Sequence, residues 1–438
     1  MQKKMILFNS PLYHESVDDN EDCLPPLGQG YIATELCKNG IDVELIDCVY
    51  KRWGVSEIIE YINNTECTHI GFNVFSVNLH LIKEIVENIS CDVPIFLGGK
   101  AIEFVWKEIV NWEIQKEIIF VIGEGELIIP DIILSKCIEA PIYVTRLYKV
   151  YRVDKDSAYF PHNLDDILLD RSLFKNRELV NRYGNLESCI ITSRGCIYNC
   201  AFCGGAKSAN PGIKVRARSI QNIKKEIDSI LELNDSVKSI RILDDLFLKD
   251  KNSIRDAIEL FNGYDQLHWR GMAHIRSFRD VAELLEPLKK SGCDELFIGI
   301  ESGSPAMRKK IHKIGALDEI ESVVEALLQV GIDIKGYFIC GFPGETEEQL
   351  KDTLKLAQKL TDISKNREGE FRTTVFQFRP YHGTELYNEI MKDKASISYF
   401  NDEQKRSSKK QYNFSAGNFS AVNDEVLNYY LNAVMNVK

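Results

Sequence analysis

Short apolar runs alternate with amphipathic helical patterns twice along this chain, and that rhythm limits the fold more than any other feature. In the first 140 residues the strand-like runs are Met5–Asn9, Val43–Asp47, His69–Phe75, Val93–Leu97 and Glu117–Ile122. Helical patterns such as Gly30–Lys38, Glu57–Asn63 and Leu79–Glu87 lie between them. Strands apolar on both faces must be covered on both sides, which predicts a doubly wound parallel sheet. Ligands bind such sheets beyond the carboxyl ends of the strands. Phe75-Ser76, Gly98-Gly99 and Gly123-Glu-Gly-Glu126 fall at such ends; ligand contact and ordinary tight turns both fit them. No G-x-G-x-x-G follows the first strand, so the sequence does not indicate the usual dinucleotide site.

Residues 141–185 read as a connector, with Tyr143–Arg152 as a hairpin edge. The second alternation starts at Leu186, with strands expected at Cys189–Thr192, Ser239–Leu243, His268–His274, Glu295–Ile300, Gly336–Cys340 and Thr374–Phe378. Helical segments Ile220–Leu233, Val281–Ser291, Leu317–Val330 and Glu347–Thr361 separate them. Six such units over 186–385 predict a partial or full parallel TIM-type barrel, (β/α)6, whose functional groups sit at strand ends. Residues 386–438 are polar, helical near Glu425–Val434, and expected to form a small C-terminal cap.

Just past the first strand of the second run stands Arg194-Gly195-Cys196-Ile-Tyr-Asn-Cys200-Ala-Phe202-Cys203. Three thiolates in a C-x3-C-x2-C run can converge on one soft metal centre. A [4Fe–4S] cluster held by three cysteines keeps one iron open to a substrate or cofactor. Structural zinc requires four ligands, and the chain offers neither a second C-x2-C nor a nearby His pair. A disulfide framework does not suit 438 residues with twelve scattered cysteines.

The chain is 44% hydrophobic, enough for full-sized cores, yet no apolar run is long enough to span a bilayer. Its start runs straight into a strand without a signal-peptide pattern, so a cytoplasmic, reducing setting is expected. A formal net charge of −11 argues against a nucleic-acid partner and a broad phosphate-binding surface. The basic cluster Lys405–Lys410 reads as solvated surface.

Polar groups recur at the ends of the later strands: Asp244-Asp245, His274 and Arg276, Glu301-Ser-Gly-Ser304, Gly341-Phe-Pro-Gly-Glu345-Thr346 and Arg379-Pro380. Asp244 or Glu345 alone could be a helix cap. Together, all of these residues would crowd one barrel mouth, where barrel enzymes react.

These motifs resemble the radical S-adenosylmethionine (SAM) superfamily over residues 186–385. The triad matches its C-x3-C-x-(aromatic)-C pattern, with Phe202 in the aromatic slot. Ile240-Arg-Ile-Leu-Asp-Asp-Leu-Phe247, Phe297-Ile-Gly-Ile-Glu-Ser-Gly-Ser304 and Gly336-Tyr-Phe-Ile-Cys-Gly-Phe-Pro-Gly-Glu-Thr346 resemble the versions in its cobalamin-binding branch. Arg379-Pro-Tyr-His-Gly-Thr-Glu-Leu-Tyr387 does too, with His382 where a proline is usual. Leu24-Pro-Pro-Leu-Gly-Gln-Gly-Tyr-Ile-Ala33 and the glycine-rich strand ends resemble segments of that branch's Rossmann-like N-terminal domain.

The resemblance implies an oxygen-sensitive enzyme with a [4Fe–4S] cluster on Cys196, Cys200 and Cys203, SAM on the open iron, and cobalamin. An external reductant such as flavodoxin or ferredoxin would supply the electron that cleaves SAM to a 5′-deoxyadenosyl radical. SAM contacts are expected from Phe202, Gly204, Gly205, Asp244, Glu301, Arg218 and Arg379. Cobalamin contacts are expected from Pro26, Gly28, Ser76, Gly98, Gly99, Gly123, Glu124, Gly125 and Glu126, and substrate contacts from His274, Tyr337, Tyr381 and His382. The D-x-H-x-x-G cobalt-ligating motif is absent, and His69 and His80 lack its context.

Methylation of an unactivated carbon in a small metabolite or natural product is the leading expectation; a non-methylating rearrangement, cyclisation or oxidation is the alternative. A tRNA methylthiotransferase shares Arg-Gly-Cys but normally adds three N-terminal cluster cysteines and a basic RNA-binding module. Cys23, Cys37 and Cys48 are too dispersed for that, and Cys189, Cys293 and Cys340 read as core residues. A simple electron carrier leaves the strand-end motifs unexplained.

Overall fold

The computed structural model describes residues 2–11, 23–112, 114–174, 176–392, 394–407 and 417–438, with side chains outside 401–407. The basic Lys405–Lys410 segment therefore lies outside the described side chains. The first alternation forms one sheet from β1 (Lys4–Asn9), β2 (Asp42–Asp47), β3 (His69–Asn73), β4 (Ile95–Gly98), β5 (Ile118–Gly123), β6 (Tyr143–Val144) and β7 (Tyr148–Val153). Their order is β2-β1-β3-β4-β5-β7-β6, parallel except for the β6–β7 hairpin at the edge. The hairpin expected at Tyr143–Arg152 is this pair, and β7 extends the sheet beyond residue 140.

Alternation along β1 explains the double cover. Ile6 and Phe8 enter a core beneath the helices Val55–Asn63, Leu79–Asn88 and Ile102–Val110. Met5 and Leu7 enter the opposite core, beneath Leu27–Lys38 and Ile128–Ile133. Successive side chains point to opposite faces, so an unbroken apolar strand needs helices on both.

The second alternation curls into a half-barrel rather than a closed one. Short β8 (Leu179–Val180) pairs antiparallel with β9 (Leu186–Ile190). A two-residue ladder, β10 (Ser193–Arg194) with β11 (Arg216–Ala217), stands apart from the sheet. The sheet continues through β12 (Val237–Ile242), β13 (His268–Ala273), β14 (Cys293–Glu301), β15 (Asp333–Cys340) and β16 (Phe371–Gln377), in the order β16-β15-β14-β13-β12-β9-β8. Helices cover its convex face, and the last of them, Asp424–Met435, packs Leu427, Tyr430 and Val434 into the shared core.

The amino-terminal end of the half-barrel is filled by ion pairs. Arg270 reaches Glu187 and, at 2.9 Å, Glu295, while Arg372 donates to Glu295 at 2.6 Å. Glu295 is fully buried, and even so Arg372 and Arg270 hold its carboxyl below the usual range against the opposing effect of burial. Breaking a buried pair by removing one partner leaves an uncompensated charge. This plug leaves the opposite, carboxyl end as the open mouth.

Candidate cofactor site at the mouth of the half-barrel

The strand ends of both sheets face one cavity of about 960 Å³. From the first sheet it is lined by Ser10, Gln29, Phe75, the Gly98-Gly99-Lys100 turn and the Gly123–Glu126 loop. From the half-barrel come Arg194, Phe202, Cys203, Gly204, Asp245 and Arg379, together with Tyr381. Pro26 and Gly28, at the start of the first helix, also reach it.

The cysteine loop leaves β10 at Arg194 and returns at β11. Cys203 Sγ accepts from Gly205 N at 3.3 Å and Cys196 Sγ from Tyr198 N at 3.5 Å, a pattern suited to thiolate acceptors. Burial raises all three thiols, that of Cys203 to about 11, while nearby Lys313 acts the other way on Cys196 and Cys200. Buried, soft sulfur donors that shed their protons to a metal suit an iron–sulfur cluster. Among the described residues, no three His, Cys, Asp or Glu side chains draw together around a single ion. Donors set around a cubane need more room than donors around one zinc.

Phe202 packs edge-on against Phe342 at 5.5 Å, and Ala201 N donates to Ile311 O at 3.0 Å. These contacts seat the loop on the turns after β14 and β15. Gly204 lines the cavity, and a side chain at Gly205 would meet Asp245 Oδ1 at 3.3 Å. Asp245 is thus a carboxylate beside Cys203.

Asp244, one residue earlier, does different work. It is fully buried and accepts from Thr192 N (2.7 Å), Thr192 Oγ1 (2.5 Å) and Ser193 Oγ (2.6 Å). It ties the end of β12 to the approach to β10 and caps no helix. Glu345 caps none either: its Oε2 accepts from Gly341 N (2.6 Å) and Phe342 N (3.1 Å), holding the turn after β15. Thr346 caps the following helix instead.

Glu301 closes β14 at a register shift, with φ of +68°. A side chain in the left-handed region carries strain that surrounding structure must hold. Arg308 holds it, donating to Ile300 O at 2.6 Å, Ser302 O at 3.2 Å and Gly315 O at 2.9 Å. The Glu301 carboxylate pairs with Lys313 at 3.2 Å, both nearly buried. Gly299 makes this possible, since a Cβ there would stand 2.3 Å from Glu301 Oε1.

Arg218 points away from the triad's front. It donates to Ile191 O (2.8 Å) and Asn222 Oδ1 (2.7 Å) and pairs with Glu226. Arg379 lines the cavity. Among the residues expected at substrate, Tyr381 lines the cavity, and Tyr337 sits deeper, between Phe297 and Phe376. His274 stacks on Tyr198 at 4.1 Å, its pKa lowered to about 3 by burial and then by Lys313. His382 binds Ser76 across the two sheets: its N donates to Ser76 Oγ at 3.0 Å and its Nδ1 lies 2.9 Å from the same oxygen. A proline at that position would lack the donating N–H.

Glu124 and Glu126 meet two arginines of the half-barrel. Arg194 pairs with Glu124 at 2.7 Å and Glu126 at 2.8 Å, and Arg216 pairs with Glu124. Three buried side-chain oxygens facing the cavity, Ser10 Oγ, Gln29 Oε1 and Glu126 Oε2, have no hydrogen-bond partner among the described residues. Buried acceptors are costly when unpaired, so this wall suits a ligand carrying N–H donors. Sequence reasoning missed Lys313, Arg216, Ser10 and Gln29, and of the pair Asp244-Asp245 that it placed at the mouth it chose Asp244, whereas Asp245 lines the cavity. Lys313 sits in an ordinary basic stretch, and its pairing across a turn becomes visible only in the fold.

A doubly wound sheet thus faces a half-barrel that carries three thiols just after its first parallel strand. Comparison with known proteins is specific about it. The Radical SAM superfamily model matches residues 190–357 and the B12 binding domain model residues 17–133. The chain carries a radical SAM domain and, ahead of it, a B12-binding domain. It is 28% identical over 371 residues to an uncharacterized methyltransferase of Pyrococcus horikoshii, covering 83% of this chain and 78% of that one. It is 22% identical over 443 residues to the cytidylyl-2-hydroxyethylphosphonate methyltransferase of Streptomyces wedmorensis, covering 84% and 78%. Among solved structures, the radical SAM methyltransferase TsrM of Kitasatospora setae, with cobalamin and a [4Fe–4S] cluster bound, aligns with TM-score 0.62 at 18% identity, over 90% of this chain and 75% of that one. The described residues include no helix long and apolar enough to cross a membrane.

Proposed function

We propose that this chain is a cobalamin-dependent radical SAM methyltransferase acting on an unactivated carbon of a small metabolite or natural product. The observation that carries the reading is the single cavity: Cys203 opens into the same space as the Gly98-Gly99 and Gly123–Glu126 loops. The two methyltransferases similar over most of this chain point to the same chemistry. When bound, the cluster with SAM supplies a 5′-deoxyadenosyl radical, and cobalamin supplies a transferable methyl group.

The chain's own residues bind, orient and shield. Cys196, Cys200 and Cys203 would hold the cluster. Gly204 and Gly205 admit a ligand close to the backbone beside Cys203. Asp245 and the Glu301 carboxylate accept hydrogen bonds from an ammonium or a ribose diol. Lys313 and Arg379 offer cations to a carboxylate. Gly98, Gly99 and the unpaired oxygens of Ser10, Gln29 and Glu126 form the opposite wall, suited to the amide-bearing rim of a corrin. Tyr381, partly exposed in the cavity lining, would meet a substrate.

Product analysis tests the reading. The protein, reconstituted anaerobically with iron, sulfide and cobalamin, is given SAM, a reductant and candidate substrates. Methylation yields both 5′-deoxyadenosine and S-adenosylhomocysteine. The first product without the second points to a rearrangement, and neither product contradicts the enzyme reading.

A further inference from the structure

The loop that carries the three cysteines has a narrow neck. Ser193 pairs with Ala217 and Arg194 with Arg216 in the β10–β11 ladder, so two arginines stand side by side where the loop leaves and returns. Both guanidiniums grip one carboxylate of the other sheet. Glu124 Oε2 lies 2.7 Å from Arg194 and 3.3 Å from Arg216, and Arg216 also contacts Oε1. Glu126 adds a second bond to Arg194 at 2.8 Å, which balances two cations with two anions.

The cluster is enclosed. The side chains of Arg216 and Glu126 are each 6% exposed and Glu124 is 10% exposed. Arg194 lies over the Tyr31 ring at 5.1 Å and Arg216 over the Phe160 ring at 4.1 Å. Glu124 is itself held rigidly. Gly123, before it, has φ of +93°, with Val153 O of β7 where a Cβ would be. Bidentate pairs in such surroundings fix geometry as well as charge.

We propose that Glu124 is a positioning residue: one carboxylate of the B12-binding domain clamps both strands of the neck and so sets the cysteine loop relative to that domain. The proposal rests on the function proposed above for what it means to the reaction, but the clamp itself can be tested without any cofactor. Glu124 is a better keystone than Glu126, because it alone of the two bonds both arginines.

The test uses the full chain with Glu124→Gln, which keeps the shape and removes the charge. In the cofactor-free protein, amide hydrogen exchange across 195–217 is expected to rise about tenfold or more, while the core of the first sheet keeps its protection. Exchange across 195–217 unchanged from the parent chain would overturn the proposal. Should Glu124→Gln fail to fold, Arg216→Lys is read by the same measurement. It keeps the charge but cannot fork onto both oxygens. In the reconstituted protein, iron content is expected to match the parent, while the spin–spin splitting between the reduced cluster and cob(II)alamin changes. Full loading with an identical splitting would overturn the positioning role, whereas failure of the parent chain to take up cobalt would count against the proposed function and leave the exchange result to decide the clamp.

Discussion

Lys313 and Glu301 face each other at 3.2 Å beside the cysteine loop, each nearly buried and each the other's charge partner. Neither is among the residues that line the cavity; on the proposed reading, a SAM carboxylate beside the loop would share Lys313 with Glu301. Lys313→Ala is expected to weaken SAM binding about tenfold or more, the range for a charge-assisted hydrogen bond, with iron content unchanged. Equilibrium dialysis against labelled SAM measures this; equal affinity would contradict it. Gly123 makes a different kind of demand. Alanine there puts Cβ 1.9 Å from Val153 O at a positive φ, and either the loop or β7 must move. Gly123→Ala is expected to cost about 2–4 kcal/mol in denaturant unfolding.

At the scale of elements, the joins matter more than the strands. Asp244 gathers three donors from Thr192 and Ser193 and so fixes the path from β9 into the cysteine loop. Asp244→Ala leaves those donors buried and unpaired, at about 1–3 kcal/mol each before relaxation. Lower unfolding stability and lower iron loading are expected together. Stability that fell with full iron loading retained would show the path to be set elsewhere. This is also where the sequence stopped being legible. The apolar strand runs were readable because their periodicity is imposed by the pleat; β15 ends at the expected residue, and β12 and β13 end one residue earlier than expected. The partner of a polar strand-end residue is set by neighbours far along the chain. Asp244 and Asp245 are adjacent and chemically identical, and the fold alone separates the inward tie from the cavity-facing carboxylate. Arg218 was chosen from sequence for its charge, and the two loop glutamates for their place in a glycine-rich strand end. Their charges prove to be matched by Glu226, Arg194 and Arg216.

Across the whole molecule, two sheets meet around one cavity, joined by polar ties and by an apolar cluster of Leu27, Tyr31, Ile167, Phe174 and Cys189. His382 binds Ser76 of the first sheet, and burial lowers its pKa to about 4. His69, at the start of β3, is lowered to about 4 by burial and then by Lys3. Unfolded histidine titrates near 6.5, so between about pH 6.5 and 4 the unfolded chain binds protons that the native chain refuses. Stability therefore falls as pH drops through that window and rises with pH, by about 1–2 kcal/mol per histidine between pH 7 and 5. Denaturant midpoints of the cofactor-free chain at the two pH values measure this, and His382→Gln should flatten the slope. The doubly wound and half-barrel architectures were legible from the alternation and the triad. Their meeting around one cavity was not, because Glu124, Ser76 and His382 are placed by tertiary contact.

The central claim is that one cavity holds two metal cofactors. Metal analysis after anaerobic reconstitution with iron, sulfide and cobalamin, followed by removal of unbound material, tests it most directly. The account predicts about four irons and one cobalt per chain, with iron lost and cobalt kept in Cys196→Ala. Iron without cobalt, or iron unaffected by loss of Cys196, would contradict it.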